Sequence, residues 1–307
     1  MKYIMCQPAT RRFEWELEVS VTRLQKLGVK NIVLLFSRAD SRIPLYFKSL
    51  GCEVHVYNDL RKSKLYIPSI KPYLWIRYLE EDPNRQNDSY FYMDSDVIFR
   101  EIPMVEPSVT TWYGSNCDHY LSAEYIDSKG EGLLEKMCDI VGVSAKDIRA
   151  RNAVAGAQWV FKCPTIDYWT KVYEDSVALY DMLSRIENEY VARGGEGYVP
   201  IQKWTAEMWA QLWNIFYFCR DVEVHPELEF CWPTDDISRY DEVKILHNAG
   251  VVDDNKGLFF KGKYVTTSPY YDDLSFVDKS KAGWEYVKAI EEVKSKKFPG
   301  GYSRKRY

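Results

Sequence analysis

The sequence holds no long hydrophobic run. No stretch reaches the roughly 18 consecutive apolar residues that a membrane-spanning helix needs, so no stable membrane span is expected. The opening MKYIMCQPATRR is also too short in apolar residues for a secretory signal. The cysteines show no pairing pattern: seven, at positions 6, 52, 117, 138, 163, 219 and 231, form no C-x-x-C pair and no Cys/His cluster at zinc spacing. This excludes the common structural zinc sites, and an odd number of scattered thiols points to a reducing compartment, so a cytoplasmic location is expected. An excess of one charge is missing too. Lys and Arg total 41 against 45 Asp and Glu, a formal charge of −4, which argues against a chain built to coat nucleic acid. Histidine is scarce, with four in 307 residues.

Aromatic residues are abundant, with 24 Tyr and 10 Trp, which suits stacking on sugars or bases as well as ordinary core packing. Over the first hundred residues strand and helix patterns alternate: strands at Tyr3–Cys6, Asn31–Phe36 and Glu53–Tyr57, and helices near Phe13–Leu27, Ser41–Leu50 and Pro68–Glu80. The alternation predicts an α/β fold with a Rossmann-like, doubly wound sheet flanked by helices. In such sheets ligands bind beyond the carboxyl ends of the strands, so Pro8, Thr10 and Arg11, after the first strand and before a helix N-terminus, form the expected nucleotide neighbourhood. Asp59, just past the third strand, is placed to accept from a ribose or base. Neither a G-x-G-x-x-G nor a P-loop stands there; the residues are CQPATRR.

The chemistry centres on Tyr90 to Arg100, YFYMDSDVIFR, an apolar and aromatic run expected to be a buried strand. Asp94 and Asp96 interrupt it. Two like charges so placed are costly unless a cation neutralises them, and carboxylate oxygens favour Mg2+ or Mn2+. Farther on, NAVAGAQWVFK begins with small residues that let a backbone approach a ligand, and its Gln158 can hydrogen-bond sugar hydroxyls. A long helix from about Pro164 to Arg193 precedes a broadly apolar one from Trp204 to Phe218, with Thr205 as N-cap and Glu207 in its first turn, opposite the apolar face. Near the end, VKILHNAG delivers His247 from an apolar strand, as the earlier run delivers its acids, and an imidazole with two carboxylates is a sound Mn2+ set. The tail KSKKFPGGYSRKRY holds six basic residues and is expected to be a mobile arm.

The aromatic strand with its D-x-D resembles metal-dependent glycosyltransferases of the GT-A fold, most nearly the retaining, glycogenin-like type. The resemblance implies a mixed GT-A sheet with a helical insertion on the acceptor side. Residues 1–265 are expected as one catalytic domain, 1–100 binding nucleotide and 101–265 acceptor, with 266–307 a C-terminal extension. It implies that Asp94 and Asp96 hold Mn2+ or Mg2+ against the diphosphate of a nucleotide-sugar, a UDP-sugar by preference. His247 and Gly250 match the H-x-x-G of an H-x-x-G-x-x-K pattern whose His completes the metal site. Asp253 stands where that pattern has its phosphate-neutralising Lys, leaving Lys256, Lys261 and Lys263 as substitutes, Lys261 foremost, in a segment LFFKGKY expected as a lid. Lys71 matches a basic residue such transferases carry before the D-x-D strand. The implied reaction moves a sugar to a hydroxyl of a glycan, protein, lipid or modified DNA base. Gln158 steadies the sugar if configuration is retained, and Glu207 is the base if it is inverted. The alternatives are a sugar nucleotidyltransferase, whose Gly-rich loop is missing here, and a non-catalytic nucleotide-sugar-binding protein.

Overall fold

The structure is a computed structural model and describes residues 1–299. The described residues form ten strands: β1 Lys2–Pro8, β2 Ile32–Ser37, β3 Glu53–Tyr57, β4 Ser89–Tyr92, β5 Val97–Phe99, β6 Thr111–Asn116, β7 Ala155–Lys162, β8 Asp221–Val224, β9 Phe230–Cys231 and β10 Ile245–His247. Seven make a mixed sheet in the order β3-β2-β1-β4-β7-β6-β8, and three make a second sheet, β5-β10-β9. The chain divides into two compact units. The first comprises residues 1–2, 57–92 and 105–226, and the second, of the described residues, 3–56, 93–104 and 227–299.

In the first unit β4 and β6 both run antiparallel to β7, and β6 runs parallel to β8. The helices Ile70–Glu81 and Ile166–Gly194 build its core with aromatic residues. Trp75 stacks on Trp169 with centroids 4.8 Å apart, and Tyr90, Tyr92 and Phe161 pack round Trp75. Each such ring buries a large apolar area, so these aromatics are structural. Opposite β6 the register of β7 slips between Gly114 and Ser115, and Ala157 adopts a left-handed φ of 55°. A bulge of this kind re-aims the side chains beside it, and Gln158 is one of them.

In the second unit β1 and β2 pair in parallel, in the register Tyr3 with Ile32 to Pro8 with Ser37. Its core gathers Trp15 and Val19 from the helix Arg11–Lys26, Ile98, Leu246, Phe259 and Tyr264, with Tyr286 and Ile290 from the helix Gly283–Lys297. The expected continuous strand Tyr90–Arg100 is two strands, in different sheets, with Met93–Asp96 between them. Burial continues across the break except at Asp94. The basic tail differs from expectation: Lys294, Lys296 and Lys297 belong to a helix, where Lys297 pairs with the buried Glu18. Its other basic residues, Arg304, Lys305 and Arg306, lie outside the described residues.

Candidate active site

Asp94-Ser95-Asp96 leads directly into β5, and β10 runs antiparallel to β5 with His247 opposite Val97. The ladder continues one step further, because the Asn248 N–H donates to the Asp96 carbonyl at 2.9 Å. This register sets His247 beside the two acids. One ligand atom from each of Asp94, Asp96 and His247 lies within 4.8 Å of the others. His247 Nε2 is 3.4 Å from Asp96 Oδ1 and 4.0 Å from Asp94 Oδ2. Asp96 and His247 are buried, and Asp94 is partly open. Gly250, three residues beyond His247, has φ of 79°, a turn that glycine adopts without strain.

Lys261 donates to Asp96 Oδ2. Lys263, by contrast, pairs with the exposed Asp253 at 3.3 Å. The segment expected as a lid is packed on both sides of Lys261. Phe259 and Tyr264 on either side of it are buried and stacked on each other, and Trp15 Nε1 donates to the Tyr264 carbonyl at 3.0 Å. Burial works against the charged Asp96, yet the Lys261 ammonium and then His247 hold its carboxyl far below the ordinary range. Burial likewise opposes the ammonium, and Asp96 and Glu16 outweigh it, holding Lys261 above its usual value.

Behind Asp96 lies a set of polar residues that sequence reasoning did not select. Ser95 Oγ donates to Glu16 Oε2 at 2.7 Å and accepts from Gln7 Nε2 at 3.0 Å, and Arg12 Nε stands 3.3 Å from Glu16 Oε1. Glu16 is 1% exposed, and burial pushes its carboxyl up against the pull of Lys261. The signal available was an acid flanked by Trp15 and Leu17, one helical turn after Arg12. Asn248 was also missed. It is 2% exposed, and among the described residues both polar atoms of its side chain lack a partner. A buried amide is seldom left so, and a polar ligand is one remedy.

The donor set of two carboxylates and an imidazole suits a divalent cation such as Mn2+ or Mg2+. The orphaned amide next to His247 fits a site completed by a bound group. The residues present therefore fit a metal held by Asp94, Asp96 and His247.

The other sequence-selected residues fall as follows. In the second unit, Pro8 ends β1, Thr10 is the N-cap residue of the helix Arg11–Lys26 without a side-chain capping bond, and Arg11 pairs with Glu14 at 2.6 Å. In the first unit, Asp59 accepts both prongs of the Arg61 guanidinium at 3.0 Å. That pairing, first of all, holds its carboxyl below the usual range. Gln158 is fully buried and accepts from Ser115 Oγ at 2.6 Å. Thr205 ends a short 3-10 turn and is the N-cap residue of the helix Ala206–Tyr217, as expected, but without a side-chain capping bond, because its hydroxyl donates to the Gln202 carbonyl at 2.6 Å.

Glu207 departs from a solvated first-turn acid. It is 3% exposed, its carboxylate lies 3.5 Å from Lys71 Nζ, and its N–H donates to Tyr66 Oη at 2.7 Å. Burial, then the Glu207 charge, push the Tyr66 phenol well above its usual range. Lys71 and Glu207 thus form a second charged pair, made wholly within the first unit.

No protein-family model matches the chain, and no curated protein matches it. Solved structures do. The bifunctional glycosyltransferase WbbM, in its apo form, is similar over 95% of this chain at 10% identity with a TM-score of 0.50. The chain spans 51% of the WbbM chain. The galactosyltransferase LgtC, in complex with donor and acceptor sugar analogs, is similar over 94% of this chain and 95% of its own at 10% identity, with a TM-score of 0.48. The mixed seven-stranded sheet, its helical flanks and the D-x-D between β4 and β5 thus assign this chain the GT-A glycosyltransferase type of fold.

Proposed function

We propose that the protein is a metal-dependent glycosyltransferase that moves a sugar from a nucleotide-diphosphate donor, a UDP-sugar by preference, to a hydroxyl acceptor. The observation that carries this reading is the convergence of Asp94, Asp96 and His247 on a GT-A type of fold. The bound cation supplies Lewis-acid charge to the donor diphosphate. Asp94, Asp96 and His247 hold it, and Lys261 adds a positive charge beside the same carboxylate. The sugar's anomeric C–O bond to the diphosphate breaks, a bond to the acceptor oxygen forms, and the nucleoside diphosphate departs. The His247 and Gly250 pattern favours retention, in which the donor phosphate takes the acceptor proton and Gln158 steadies the sugar. If configuration inverts, Glu207, paired with Lys71, is the base that takes the acceptor proton.

The test is thermal stabilisation by UDP, GDP, CMP and their sugar conjugates, with and without Mn2+, in the wild type and in Asp94→Asn and His247→Ala. Stabilisation by one nucleotide class that needs Mn2+ and disappears in both variants is the expected result. No shift with any nucleotide overturns the reading. Donor hydrolysis without acceptor separates an enzyme from a binding protein that has kept the site alone.

A further inference from the structure

The Asp96 oxygen that Lys261 occupies belongs to the same carboxylate that completes the metal set. Asp96 is 4% exposed, with His247 at 3.4 Å on its other oxygen, so both oxygens of a buried carboxylate are already engaged. The backbone carrying Lys261 is fixed by the buried Phe259 and Tyr264 and by the bond from Trp15 to the Tyr264 carbonyl. A lysine stem is nevertheless four flexible carbons long, so Nζ can change partner while the backbone stays still.

We infer that Lys261 competes with the metal for Asp96 and gives way only when a donor diphosphate offers it other oxygens, so that metal and nucleotide bind interdependently. This rests on the transferase reading and adds an order to it. A divalent cation and an ammonium at one carboxylate repel each other, and in a buried site that repulsion is little screened. With no nucleotide present, Lys261 lowers the affinity for metal. The diphosphate is the one component of the proposed reaction that brings several anionic oxygens to this end of the site, and Lys261 transfers its charge to them. Linkage makes the effect reciprocal: metal strengthens nucleotide binding by the factor by which nucleotide strengthens metal binding. Glu16, 1% exposed and accepting from Ser95 Oγ at 2.7 Å, sets a second buried carboxylate behind Asp96.

The test uses the full chain and counts free Mn2+ by its electron paramagnetic resonance signal, for Mn2+ alone and with UDP or GDP. Lys261→Met and Lys261→Gln are compared with wild type, and circular dichroism checks that each is folded. Both variants should bind Mn2+ alone about tenfold more tightly than wild type, with the metal–nucleotide coupling reduced by a similar factor, within the range usual for coupled sites. A lysine that merely shaped Asp96 would give the opposite sign, weaker Mn2+ binding. Unchanged or weaker Mn2+ binding in a folded variant overturns the inference and leaves the transferase reading standing. If both variants misfold, wild-type coupling below about twofold overturns it. If the wild type binds neither Mn2+ nor Mn2+ with nucleotide, the transferase reading fails and this inference with it.

Discussion

Replacing Asp96 by Asn in metal-free protein should destabilise the fold through the cation it abandons. The Asp96 side chain is 5% exposed and that of Lys261 22%, so the pair is largely withdrawn from water. Removing one partner of a buried ion pair costs about 3–5 kcal/mol, because the other charge stays buried and unpaired. The lower end applies here: Asn keeps one acceptor oxygen, and Glu16 remains to attract Lys261. A loss of about 3 kcal/mol, against an unfolding entropy of roughly 2.1 cal/mol/K per residue, lowers Tm by about 5 °C for a chain of 307 residues. Calorimetry and urea unfolding in the presence of a chelator measure it. The double variant Asp96→Asn, Lys261→Met should recover most of the loss, since no unpaired cation is left. The sign with pH is also determined. The Asp96 carboxyl is held below its ordinary 3.8, so its contribution is present above that pH and is lost on acidification. The gap between wild type and Asp96→Asn therefore narrows as pH falls below about 4 and stays open toward alkaline pH. A loss under about 0.5 kcal/mol, or a double variant no more stable than Asp96→Asn, would refute the claim that Lys261 is held by this carboxylate.

Two further outcomes are expected. If the product shows inverted configuration, Glu207→Gln should lower sugar transfer by about 100-fold or more while leaving Mn2+-dependent stabilisation by nucleotide unchanged; transfer at the wild-type rate removes Glu207 as the base. Gly156→Ala should cost about 1–3 kcal/mol in urea unfolding. Its Cβ would stand 2.6 Å from Leu121 Cδ1, 3.0 Å from Met208 Cε and 3.1 Å from Cys117 Sγ, and an unchanged midpoint would mean that these side-chain ends yield freely.

The sequence by itself determined the α/β alternation and singled out the candidate metal ligands. Hydrophobic periodicity is local, so strand Glu53–Tyr57 matches its expected bounds and the helix expected at Phe13–Leu27 forms at Arg11–Lys26. Two acids inside YFYMDSDVIFR and a histidine leaving VKILH are visible as charged or ligating groups where apolar ones belong. What only the tertiary structure decided is everything that depends on register and burial. The antiparallel pairing of β5 with β10 brings His247 to Asp94 and Asp96, and no local pattern encodes which residues of two distant strands face each other. Burial turned Glu207 from an apparent solvent-facing acid into the partner of Lys71, and took Trp75 and Trp169 into a core rather than onto a ligand. Among three lysines of like chemistry, it is Lys261, between the buried Phe259 and Tyr264, that meets Asp96, because side-chain charge reads in one dimension and ion pairing is settled in three.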